Sequence, residues 1–144
     1  NQSEQLVLAT LDARMDQIYA AWYVCGPQKI SLIGEEQVVS PGDIEQLGVP
    51  VKDKGQWQLS RASKCTTLNK MAGEMACSLV GSGLFFKEKF PTGWLSRFTT
   101  YPEAAVTIGA LATFAETILA TGGVEQCVAA NQLMPDYLRN QVTG

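Results

Sequence analysis

With 144 residues, 46% of them apolar and 17% charged, the chain can build a real hydrophobic core and is not a disordered segment. A formal charge of -3 and only the sparse basic trio Arg61, Lys64 and Lys70 argue against a phosphate backbone as partner, so no nucleic acid is expected. The chain has four cysteines and no histidine, which removes the usual general base near neutral pH.

Residues 4–25 read as an amphipathic helix. Val7, Leu11, Met15, Ile18, Trp22 and Cys25 recur at steps of three and four, Ser3 serves as N-cap, and Cys25-Gly26-Pro27 stops the run. Residues 29–39 alternate and fit a short strand or an extended loop. Ser40-Pro41-Gly42-Asp43 opens one or two helical turns, with serine capping and proline at the first position. A turn over 52–55 precedes a short strand at Gln56-Trp57-Gln58-Leu59, with Trp57 and Leu59 inward.

A second helix is expected over about 61–80, with Leu68, Met71, Met75 and Leu79 inward, ended by Gly81-Ser82-Gly83. The connector 84–98 is rich in aromatics, and core packing is its favoured role. Proline at 102 and Glu103 open a third helix with Ala104, Ile108, Leu111, Ala115, Ile118 and Leu119 inward, ended at Gly122-Gly123. A last short helix begins near Val124, and Pro135 starts a terminal turn. The expected fold is therefore mainly α, with three principal helices and one or two short strands, as a single globular domain over 1–144. No run of about 18 apolar residues is long enough to span a bilayer. A membrane anchor upstream of Asn1 is compatible with this reading.

Cys25, Cys65, Cys77 and Cys127 are widely spaced and contain no C-x-x-C pair. Two disulfides in an oxidising compartment are the simplest reading, with four buried free thiols as the alternative. A zinc site is disfavoured by the spacing. On one helix Cys65 and Cys77 would lie roughly 18 Å apart, too far for a bridge. Two connectivities remain, and Cys25–Cys65 with Cys77–Cys127 is preferred. Each bridge would close a long loop and stabilise by about 4 kcal/mol.

No nucleophile comes with a base. Ser63 and Lys64 are adjacent and point apart on a helix. The carboxylates Glu35-Glu36 and Asp43 with Glu45 sit in turn-like segments better suited to a solvated surface than to acid–base work. Neither Gly81-Ser82-Gly83 nor Gly122-Gly123 has the context of a phosphate loop. No catalytic residue, cofactor or metal is assigned, and the expected role is non-enzymatic. Tyr19 and Tyr23, four apart, share a face that is either packed by the domain or turned to a protein partner or a second subunit, where tyrosine is enriched.

The layout of a long N-terminal helix, the segment Ser40-Pro41-Gly42-Asp43-Ile44-Glu45-Gln46-Leu47-Gly48-Val49-Pro50, the strand Gly55-Gln56-Trp57-Gln58-Leu59 and the following cysteines resembles type IV pilin-like or pilus-assembly proteins of Gram-negative bacteria. The resemblance covers about the first 65 residues. It implies an α+β alternative, a long helix packed on a small antiparallel sheet, although 100–141 look helical where pilin heads end in strands. It also implies a structural or assembly component of a surface machine, periplasmic or extracellular and anchored to the inner membrane. A small secreted disulfide-stabilised binding protein, an inhibitor or effector, is the competing role.

Overall fold

The computed structural model describes residues 3–61 and 77–103, together with Ala120. The chain divides into two compact units, Asn1–Ala104 and Ala105–Gly144, and the described strands all belong to the first. That unit is built on β-sheet, so the expectation of a mainly helical, three-helix protein is overturned.

The largest correction falls on the first segment. Residues 4–25 form strands β1 (Gln5–Arg14) and β2 (Gln17–Cys25), paired antiparallel as a hairpin. Burial along β1 alternates: Leu6, Leu8 and Thr10 are buried, whereas Val7, Ala9 and Leu11 face the other way. This period of two competes with the helical period because positions four apart share a face in both structures. The β-branched and aromatic run Ile18-Tyr19, Trp22-Tyr23-Val24 favours the strand. The hairpin turn has no glycine, asparagine or proline to announce it. Arg14, Met15 and Asp16 adopt φ of 64°, 54° and 56°, and the Arg14 amide donates to Asp12 Oδ1 at 2.8 Å across a bulge.

Strand β3 (Ile30–Val39) pairs antiparallel with β2, and the expected strand over 29–39 is found here. A 3-10 helix, Pro41–Leu47, follows with Pro41 at its start, as the Ser40-Pro41 signature predicts. Strands β4 (Val49–Asp53) and β5 (Gln56–Ser60) form a separate two-stranded hairpin that includes the expected Trp57 strand.

Strand β6 (Cys77–Val80) lies where the second helix was expected to end, and it runs parallel to β1. Residues 62–76 of that helix fall outside the described residues. Strand β7 (Thr99–Tyr101) is parallel to β6 and gives the main sheet the order β3-β2-β1-β6-β7. For the third helix, Pro102 and Glu103 form a turn, and 104–119 lie outside the described residues, as do the helix near Val124 and the turn at Pro135.

One sheet face carries the core. Leu6, Leu8, Ile18, Ala20, Trp22, Ile33, Cys77 and Leu79 pack beneath Ile44 and Leu47 of the 3-10 helix and Leu84, Phe90, Trp94 and Phe98 of the aromatic connector. Trp94 meets Phe98 at 4.7 Å and Phe90 at 5.2 Å between ring centroids. Core packing is thus the role of most of the connector, although Phe85 is exposed. The close fit of β1 to β6 continues past the strand ends. Thr10 Oγ1 donates to the Val80 carbonyl and the Asp12 amide donates to Ser82 Oγ, both at 2.8 Å. Gly81-Ser82-Gly83 is therefore the loop that locks β6 to β1, and a 3-10 helix, Ser82–Lys89, begins in it.

Cys25 and Cys77 are both thiols, so the preferred bridges Cys25–Cys65 and Cys77–Cys127 are not formed. Register explains why these two do not join each other. Cys25 lies opposite Gln5, Cys77 lies opposite Leu6 on the far side of β1, and the two therefore point to opposite sheet faces. Cys65 and Cys127 themselves lie outside the described residues.

Candidate functional site

The face of the sheet opposite the core is apolar in three registered rows. Val7, Tyr23 and Leu32 stand abreast on β1, β2 and β3; Leu11, Tyr19 and Val38 form a second row; Ala9, flanked by Ala21 and Val80, leads to Tyr101 on β7. Tyr19 and Tyr23 are brought together on this face, as their spacing of four predicts, although on a strand and not on a helix. Both are half-buried. Leu11, Leu32 and Tyr101 remain 46%, 44% and 50% exposed. Sequence reasoning missed these three as surface residues; strand alternation over 5–14 and 30–33 is the signal that finds Leu11 and Leu32.

The Tyr23 hydroxyl donates to Glu36 Oε1 at 3.4 Å. Partial burial, reinforced by the Glu36 charge, raises its pKa above the ordinary tyrosine value and keeps the hydroxyl protonated. Burial alone raises both the Cys25 and Cys77 thiols. Neither thiol has the lowered pKa of a reactive cysteine.

The candidate carboxylates are not gathered in a cleft. Strand β3 bulges at Gly34, where φ is 75°, and the bulge sends Glu35 and Glu36 to different partners. Glu35 meets Arg61 at 3.3 Å, and the same guanidinium donates to Gln37 at 3.3 Å. Asp43 and Glu45 lie exposed on the 3-10 helix. Glu4 pairs with Lys52 at 3.1 Å and also accepts from Trp57 Nε1 at 3.4 Å, contacts that lower its pKa. Among the described residues no group of three or more acids or cysteines has metal-ligand spacing. Ser63 and Lys64 lie outside them.

Two of the open grooves among the described residues flank the sheet. One, of about 670 Å³, runs between the β3 bulge and β5 and is lined by Gly34, Glu35, Trp57, Leu59 and Arg61. The other, of about 410 Å³, lies at the β2–β3 turn against Glu4, Val24 and Lys29. Neither brings a nucleophile to a base.

No family model matches the sequence, and no curated protein matches it. Solved structures do. An uncharacterized Pseudomonas aeruginosa protein described as similar to the peptidase YeaZ shares 25% identity at a TM-score of 0.62, over 94% of this chain and 50% of its own. YeaZ from Pseudomonas aeruginosa shares 24% identity at a TM-score of 0.60, over 93% of this chain and 50% of its own. The chain thus spans about half the length of the solved structures it matches. The matched half of their fold is the one seen here, and it overturns the resemblance to type IV pilins. The pilus-assembly role and the secreted binding-protein role fall with it. No described helix is long and apolar enough to cross a membrane.

Proposed function

We propose that this YeaZ-like chain works by binding, without chemistry of its own, through the sheet face that carries Tyr19 and Tyr23. One observation carries the reading: Leu11, Leu32 and Tyr101, all large and apolar, stand half exposed around those tyrosines on a single registered face. Apolar sheet faces of this kind mark surfaces that meet protein. Tyrosine adds large contact area and a polar tip, which suits such a surface. The half of the solved neighbours' chains that this one does not match serves as a test partner.

The neighbour's description as similar to a peptidase raises hydrolysis as the rival reading. Against it, Glu4, Glu35 and Asp16 are tied at exposed positions to Lys52, Arg61 and Lys89, and the described thiols are held protonated. Titration calorimetry of the chain into the unmatched half of the Pseudomonas aeruginosa YeaZ, expressed separately, tests the proposal. Binding is expected, with Leu11→Arg or Tyr101→Arg weakening it more than about tenfold through desolvation of a buried charge. Equal binding by both variants, or turnover of fluorogenic peptides by the purified chain, would refute it.

A further inference from the structure

We infer that the groove between the β3 bulge and β5 binds a free α-amino acid with an apolar side chain. Its carboxylate rests on Arg61, its ammonium on Glu35, and its side chain lies along Trp57 and Leu59. The groove shares no residue with the tyrosine-bearing face, so this site is separate from the binding role proposed above.

Two glycines shape the groove. At Gly34 the Leu59 side chain occupies the place a Cβ would take, which lets Leu59 lie across β3. At Gly48 a Cβ would come within 3.3 Å of Arg61 Cγ, so the bare backbone lets the arginine stem run close beside it. Trp57 is held by contacts of its own. Its Nε1 donates to Glu4 at 3.4 Å, and Lys52 Nζ lies 5.4 Å from the ring centroid. Apolar wall and cation are thus in place before a ligand arrives, which lowers the ordering cost of binding.

The charged end of the groove matches a zwitterion. Both hydrogen bonds of Arg61 leave from Nη2, to Glu35 Oε1 and to Gln37, each at 3.3 Å. Among the described residues Nη1 of Arg61 and Oε2 of Glu35 make no hydrogen bond, so one can donate to a carboxylate and the other accept from an ammonium. The Arg61 and Glu35 side chains are 63% and 72% exposed, and little is lost if a ligand spreads the pair. A plain anion would meet the Glu35 charge, and a plain cation the Arg61 charge. An α-amino acid carries both charges on one carbon, which suits an acid and a base this close together. The groove, about 670 Å³, has room for the largest apolar side chains, and because it is open the affinity is low.

Titration of the chain with L-phenylalanine, followed by the indole Nε1–H signal of Trp57 in a nitrogen–proton NMR spectrum, reads the site directly. Trp57→Phe assigns the signal, and Trp22 and Trp94, 1% and 2% exposed, serve as internal references. A saturable shift confined to Trp57 is expected, with a Kd of about 1 mM. Phenylalanine amide, which lacks the carboxylate, should bind at least about fivefold more weakly, and N-acetylphenylalanine, which lacks the ammonium, about threefold. In Arg61→Gln the acid and its amide should bind alike, and in Glu35→Gln the free and acetylated forms should bind alike. Circular dichroism checks that each variant keeps its sheet. No saturable shift at Trp57 overturns the inference, as does an amide that binds as tightly as the acid. An Arg61→Gln variant that still tells the two apart also overturns it. N-acetylphenylalanine stands for the last residue of a peptide, and its binding more tightly than phenylalanine would make a peptide C-terminus the ligand instead.

Discussion

Replacing Gly81 by alanine tests the joint between β1 and β6. Gly81 has φ 102° and ψ -177°, a region open to glycine alone, and a Cβ there collides with the backbone carbonyl of Thr10. That oxygen belongs to a central strand and cannot step aside as a side chain would. Backbone strain of about 1–3 kcal/mol and overpacking of about 1–3 kcal/mol together place the loss near 4 kcal/mol. That is a large share of the roughly 5–15 kcal/mol typical of a domain. Gly55→Ala is the control, because φ there is 81° and nothing lies within 4 Å of an added Cβ. It registers the cost of positive φ alone, about 1–2 kcal/mol. Urea unfolding followed by tryptophan fluorescence compares the two. Equal losses at 81 and 55 would show that the parallel β1–β6 register is not the one described.

Three further outcomes follow from the same geometry. Alkylation after unfolding without reductant should label Cys25 and Cys77 as thiols, while in the native protein Cys77, only 4% exposed, should react far more slowly than in the unfolded chain; a Cys25 peptide found bridged would contradict this. Met15→Asn should stabilise by about 0.5–1 kcal/mol, since asparagine tolerates the positive φ of the β1–β2 turn better than methionine does; an unchanged melting midpoint would count against the turn. Alkali should destabilise the fold. Tyr23, Cys25 and Cys77 all have pKa values raised in the folded state, so their contribution is complete below the unfolded values, about 8.5 for cysteine and 10 for tyrosine, and is lost as pH climbs through the folded ones. Tyr23→Phe should shrink the part of that loss above pH about 10, and denaturant midpoints from pH 8 to 11 measure it.

The chain's local punctuation was readable where proline or glycine carried it. Ser40-Pro41 announced a short helix, and the turn ending at Gly55 announced strand β5, although its partner β4 went unread. Segment 5–25 misled because Arg14-Met15-Asp16 turns on positive φ without glycine, so two strands joined there read as one continuous amphipathic run. Cys77-Ser78-Leu79-Val80 was absorbed into a helix for a different reason. Four residues are too few to display a period, and only the non-local pairing with Leu6–Ala9 makes them a strand. The cysteines were read by count and spacing, whereas register places Cys25 and Cys77 on opposite faces. Tyr19 and Tyr23 share a face on strand β2 because positions four apart coincide on a strand as they do on a helix. Their neighbours Leu32 and Tyr101 come from other strands, and no local pattern could have joined them.

Photo-crosslinking from position 23 tests the binding role most directly. A benzophenone side chain replacing Tyr23, with one replacing Lys54 at the tip of the β4–β5 hairpin as control, is irradiated alongside the unmatched half of the Pseudomonas aeruginosa YeaZ. Covalent adducts from position 23 and none from 54 are the predicted result. Adducts from 54 alone, or none from 23 at saturating partner, would contradict it.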